Sequence, residues 1–159
     1  MGRPKGGLAH PSGRSLLAEA LHRLRPWVKV RVVAGRPPGQ AVPPAIPCLA
    51  DPAGLHGPLA GIARVAAVFP AAYYLVLAVD LPAARPDRLV AAARCHPGRP
   101  VMGQSRDGQW QPLAALYPAV QARQALTVLR RGGRRVLPWA LAADPVAVRG
   151  PWWANVNTP

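Results

Sequence analysis

Acidic side chains are scarce in this sequence: six Asp and Glu stand against 20 Lys and Arg, a net charge of +14 at pH 7. So few carboxylates make each acid worth placing. Phenylalanine occurs once, and the apolar content is mostly Ala, Val and Leu, which suits Ala-rich helices on a sheet better than an aromatic-cored β-sandwich. The two cysteines, Cys48 and Cys95, lie far apart without a CxxC or Cys/His spacing. That disfavours structural zinc and reads as two small buried hydrophobes. His10, His22, His56 and His96 form no ligand motif either. No apolar stretch reaches the length of a membrane span, and no apolar run follows the basic residues at the start. The expectation is a soluble protein of the cytoplasm.

What is present is basic and apolar together. Half of the 159 residues are hydrophobic despite 21 prolines and 15 glycines, enough for one core in a single domain spanning residues 1–159. A net positive charge favours anionic partners such as nucleotides, phosphorylated cofactors, nucleic acid or membrane surfaces. The arginines are scattered, however, as genomic base composition alone would scatter them. The nearest approach to a patch is "RRGGRR" at 130–135. No basic helix, aromatic-interleaved sheet motif or zinc knuckle supports nucleic-acid binding. The expected partners include neither nucleic acid nor membrane.

Patterning alternates strand and helix. "SLLAEALHRL" (15–24) is amphipathic with Ser15 as N-cap. "VKVRVVA" (28–34) and "AIPCLA" (45–50) read as short strands. "GPLAGIARVAAVF" (57–69) opens a helix with Pro58 in its first turn. The unbroken apolar run of "YYLVLAVDLP" (73–82) is that of a strand buried on both faces. "RPDRLVAAARC" (85–95) is helical, and 99–118 reads as two strands around the Asp107-Gly108 turn. Residues 119–131 are helical, 134–143 helical with a break at Pro138, and "PVAVRG" (145–150) is strand-like. The result is an α/β fold, a Rossmann-like three-layer α/β/α sandwich with a mostly parallel sheet.

In such sheets ligands sit beyond the carboxyl ends of the strands, which places Gly35, Asp51 and Asp80 on one rim. Asp80 suits Mg²⁺, which takes one or two carboxylates with phosphate oxygens and waters. The competing reading is a capping Asp for the helix after Pro82. Gly57 and its neighbours permit close backbone approach at a helix N-terminus, and Lys5 is either a solvated charge or a point charge for phosphates.

"MGRPKGGL", "D…GPLAGI", "LVLAVDLP", "QPLAALYP", "GGRRV" and "NVNTP" follow one another along almost the whole chain. This set resembles the molybdenum cofactor guanylyltransferases, nucleotidyltransferases on a sheet of the nucleotide-diphospho-sugar transferase type. The resemblance implies transfer of GMP from GTP to molybdopterin, giving molybdopterin guanine dinucleotide and pyrophosphate, with Mg²⁺ as cofactor. It implies Lys5 on the nucleotide phosphates, Asp80 on the metal, and Asp51 with Gly57 on the nucleotide. Lys5 and Asp80 are then the catalytic pair, and Gln111, Pro112, Asn155 and Asn157 line the molybdopterin side. Implied partners extend to molybdoenzymes and the proteins that insert the cofactor. A cytidylyltransferase or other nucleotidyltransferase of this fold is the second reading, and a non-catalytic remnant the third.

The sequence departs from that family in two places. Where the family carries an asparagine after the second strand, this sequence has Ala34, Gly35 and Arg36. The family also opens with an apolar strand and a Gly-rich turn ahead of its Met-Gly segment. The expectation is therefore a domain incomplete at its N-terminus, lacking its first strand and phosphate loop, with activity in doubt. A central strand buries about four apolar side chains at roughly 1.5–3 kcal/mol each, a sum on the scale of a domain's whole stability.

Overall fold

A computed structural model describes residues 5–35 and 40–154. After a 3₁₀ turn at Lys5–Gly7, helix α1 (Leu16–Leu24) starts where the Ser15 hydroxyl accepts from the Ala18 N–H at 3.2 Å. It buries Leu16, Leu17, Ala20 and Leu21, one stripe at helical spacing. Glu19 is buried beside them. Its carboxylate accepts from Arg14 at 3.1 Å, Arg23 at 2.9 Å and Ser12 at 3.1 Å. Burial pushes this carboxyl up, but the donors outweigh it and hold its pKa at about 2.

Strands β1 (Val33–Ala34) and β2 (Cys48–Leu49) form a two-stranded parallel sheet. The remaining strands are β3 (Tyr73–Leu77), β4 (Val101–Gln104), β5 (Trp110–Pro118) and β6 (Val146–Arg149). They form a four-stranded sheet in the order β3-β5-β4-β6. Only β5 is antiparallel to its neighbours, so three strands of this sheet share one direction. β5 shows the two-faced alternation of a covered strand. Ala115 and Tyr117 enter the cluster formed with α2 (Pro58–Val68), α4 (Ala119–Arg130) and α5 (Val136–Leu141). Ala114 and Leu116 enter the opposite one, formed with α3 (Pro86–Cys95) and Trp153. The expected three-layer α/β/α sandwich follows.

The register shifts between Met102 and Gly103, where the ring of Trp153 packs: a Cβ on Gly103 would lie 2.7 Å from its Cδ2. Trp153 is fully buried, and its indole N–H donates to Val148 O at 2.6 Å.

Some elements differ from expectation. Of 28–34, only Val33 and Ala34 join a ladder, because β2 offers just two partner residues. β3 stops at Leu77, and Leu75 to Leu77 are half-buried, because β3 is the last strand of its sheet on that side. Pro138 does not break α5. The helix begins at Val136, so Pro138 falls in the first turn, where its missing N–H has no partner to lose. Cys48 and Cys95 are exposed, not buried. β2 is a short surface strand, and Cys95 is the last residue of α3. Among the described residues no helix is long and apolar enough to cross a membrane.

Candidate functional site

The carboxyl ends of β1 and β2 pack on the N-terminal part of α2. Gly57 caps that helix with φ +96°, a conformation glycine adopts without strain. Its N–H donates to Asp51 Oδ2 at 3.2 Å. The other Asp51 oxygen faces Gly35 and Gly61: a Cβ on either would lie 3.6 Å and 4.0 Å from Oδ1. Gly61 is also the contact point between α2 and β1, since a Cβ there would stand 3.1 Å from Ala34 Cβ. The segment from Gly57 to Gly61 thus sets how closely the helix end approaches the strands. Leu59 and Ala60 between them have no exposed surface and anchor it.

Asp80 is half-buried in the turn after β3. The β5 pairing continues to its doorstep, with Ala78 N–H donating to Leu113 O at 2.7 Å. Beyond it Leu81 and Ala84 are buried, and Arg23 of α1 donates to Ala84 O at 2.8 Å. Asp80 does not cap α3: that helix has Arg85 as N-cap and no side-chain cap.

Asp80, Gly35 and Gly6 line one cleft of about 1100 Å³. Gly6 lies against the buried Gln40 side chain. The backbone at Lys5–Gly7 is thereby brought to the cleft that holds Asp80; the Lys5 side chain lies outside what is described. A second hollow of about 420 Å³ adjoins the first and shares Pro58 and Leu113 with it. Pro112, Arg134, Arg135 and Val136 complete much of its wall. Pro112 O accepts from the Tyr117 hydroxyl at 2.6 Å, whose phenol burial pushes upward in pKa, so it stays a neutral donor. Gln111 is half-buried on β5 opposite Gly103.

The structure thus brings Gly35, Asp51, Gly57, Asp80 and the Lys5 backbone to one rim, and Pro112 to the adjoining hollow. Arg36, Asn155 and Asn157 fall outside the described residues. Sequence reasoning missed Gln40, and it held Gly61, Arg134 and Arg135 only as parts of the GPLAG and GGRRV motifs, with no place in the site. The run at 130–135 was visible as a charge patch, but its place beside Pro112 depends on a long-range contact between α5 and β5. Chemically, one side offers carboxylates and glycine backbone, and the other offers guanidinium groups. That division suits a metal-bound polyphosphate facing a second anion.

Over residues 1–145 the sequence matches the MobA-like NTP transferase domain. The chain belongs to that family. A probable molybdenum cofactor guanylyltransferase of Rhodopirellula baltica is 33% identical to this MobA-like chain over 174 aligned residues, covering 100% of the chain and 82% of the relative. The molybdenum cofactor guanylyltransferase of Pseudomonas aeruginosa is 38% identical over 118 residues, 69% of this chain and 58% of its own length. Among solved structures, the molybdopterin-guanine dinucleotide biosynthesis protein A of Archaeoglobus fulgidus superposes with a TM-score of 0.74 at 20% identity, covering 99% of this chain and 86% of that one. The 2-C-methyl-D-erythritol 4-phosphate cytidylyltransferase of Thermus thermophilus gives 0.73 at 21% identity, covering 99% and 89%. These two likenesses establish the nucleotidyltransferase fold.

Proposed function

We propose that this MobA-like transferase moves GMP from GTP to the phosphate of molybdopterin in the cytoplasm, as one nucleotidyltransferase domain over residues 1–159. A phosphate oxygen of molybdopterin attacks the α-phosphorus of GTP; the new P–O bond forms as the bond to the departing pyrophosphate breaks. The acceptor is already an anion, so no Ser, Cys or general-base His is needed. The barrier is repulsion between anions together with alignment.

The observation that carries this reading is the pair of hollows sharing Pro58 and Leu113, one holding Asp80, the other Arg134 and Arg135. The curated names of the relatives supply the substrates. In this reading Asp51, Gly57 and Lys5 hold the nucleotide. Gln111, Pro112, Asn155 and Asn157 face molybdopterin, and the arginines offset the acceptor's charge.

Among the described residues no three His, Cys, Asp or Glu side chains cluster. The donor set therefore does not suit a cage but fits Mg²⁺ that arrives with the nucleotide, held by Asp80 and by phosphate oxygens. When bound, that ion neutralises charge developing on the phosphates.

The test is incubation with molybdopterin, Mg²⁺ and either GTP or CTP, followed by mass spectrometry of the pterin product and measurement of pyrophosphate. The guanine dinucleotide from GTP is expected. A product from CTP alone would replace this reading with the cytidylyl one, and no product from either would leave a binding protein.

A further inference from the structure

Arg23, in the last turn of α1, holds two partners at once. Its Nε donates to Glu19 Oε1 at 2.9 Å, one helical turn back. Its Nη1 donates to Ala84 O at 2.8 Å, 61 positions along the chain. A cation near a helix C-terminus is favoured by the helix dipole, and an i,i+4 pair with a glutamate steadies the helix. Those two roles account for the first bond. Neither accounts for the second, which leaves the helix and reaches the turn after β3.

That turn carries Asp80 between two fixed points. Before it, Ala78 N–H donates to Leu113 O of β5 at 2.7 Å. After it, Ala84 N–H closes the turn on Leu81 O at 3.1 Å, and both residues are buried. Val79 and Asp80 are thus strung between β5 and a turn that Arg23 grips. The same helix also carries the other wall of the cleft. The Lys5–Gly7 turn packs on α1, Leu16 N–H donates to Leu8 O at 2.8 Å, and Ser15 pairs with Ala9. Glu19 Oε2 accepts from the Ser12 hydroxyl and from Arg14, each at 3.1 Å. One carboxylate therefore ties the segment after Lys5–Gly7 to the guanidinium that holds the Asp80 turn.

We infer that Arg23 is a positioning residue: by bridging Glu19 and Ala84, its guanidinium fixes how far Asp80 stands from the Lys5–Gly7 backbone. Gly6 and Asp80 both line the large cleft, and a metal-bound triphosphate must meet both walls together. Arg23 itself lines neither hollow, so it acts through the turn and not on the substrate. Arginine suits the task because its planar fork presents donors at fixed angles, whereas lysine offers one ammonium on a flexible stem. The inference rests on the reading of Asp80 as a ligand of Mg²⁺ that arrives with the nucleotide.

The experiment compares the wild-type chain with Arg23→Met, Arg23→Lys and Arg14→Met. Methionine keeps much of the apolar stem and removes the donors. Arg14→Met is the control: it also takes one donor from Glu19, but among the described residues Arg14 makes no bond to the 81–84 turn. GTP binding is titrated in Mg²⁺ and in EDTA, and amide hydrogen exchange at 81–84 is followed without nucleotide. In the wild type, Mg²⁺ is expected to tighten GTP binding. Arg23→Met is expected to cut that gain by about tenfold to a hundredfold, as loss of the outer support of a metal ligand does, with affinity in EDTA unchanged. Exchange at 81–84 is expected to quicken by roughly tenfold or more. Arg23→Lys keeps a cation beside Glu19 but loses the fork; it is expected to move both readouts in the same direction and serves if the methionine variant does not fold. Arg14→Met is expected to lower the thermal midpoint while keeping both the gain and the slow exchange. Equal behaviour of the Arg14 and Arg23 variants, or an undiminished gain in Arg23→Met, would overturn the positioning role alone. A gain absent from the wild type, or one that survives Asp80→Asn, would strike the metal reading of Asp80 and the positioning role with it.

Discussion

Asp80 leaves β3 through a turn whose far side is fastened by the buried Leu81 and Ala84, so its carboxylate is delivered by a rigid frame and not by a free loop. Asp80→Asn keeps the shape and removes the charge. The expected outcome is loss of Mg²⁺-dependent turnover on the order of a hundredfold or more, read by pyrophosphate release. Arg134 and Arg135 belong to the other hollow. Replacing both with alanine is expected to raise the KM for molybdopterin about tenfold, as loss of a charge-assisted contact does, while GTP affinity by titration stays the same. At this scale the sequence was informative about where a residue sits when that follows from its own strand. Asp51 and Asp80 end apolar strands, and strand ends carry ligands. It marked Gly61 only as part of the GPLAG motif and did not show its contact, because Ala34, 27 positions earlier, arrives at the same point.

Among the elements, α2 bears most on the site, since its first turn separates the two hollows. Gly61→Val would push its methyls into Ala34 and pry the helix from β1. A destabilisation of about 1–3 kcal/mol is expected, measured by urea unfolding. α1 supplies a pH dependence. The Glu19 carboxyl lies below its ordinary value, so the folded state holds its proton less tightly than the unfolded chain does. The stabilisation is then complete above about pH 4.5 and disappears as pH falls toward 2. Glu19→Gln is expected to cost about 1.5–3 kcal/mol at pH 7 and to flatten the acid limb of a stability-against-pH curve. Helices were the legible elements: Ser15 and Pro58 each mark a start by local chemistry. The strand at 28–34 was legible only as a tendency, because a ladder needs a partner and β2 provides two residues of it. The apolar run at 74–79 promised burial on both faces; its half-exposure measures how much of its neighbourhood is open.

At the scale of the whole molecule, the α/β class and the order of its layers followed from the alternation of patterns. The antiparallel insertion of β5 showed in advance only as the Asp107-Gly108 turn. Surface charge acts here too: a net +14 raises the local concentration of anionic substrates and is screened by salt. The shared wall of Pro58 and Leu113 has a kinetic counterpart. Among the described residues the two hollows have no other lining residue in common, so neither substrate must leave before the other arrives, and no side chain is needed to carry the nucleotidyl group between visits. Initial-rate plots against one substrate at fixed levels of the other are expected to converge, as for a ternary complex. Parallel lines would instead mean that the chain itself is transiently nucleotidylated.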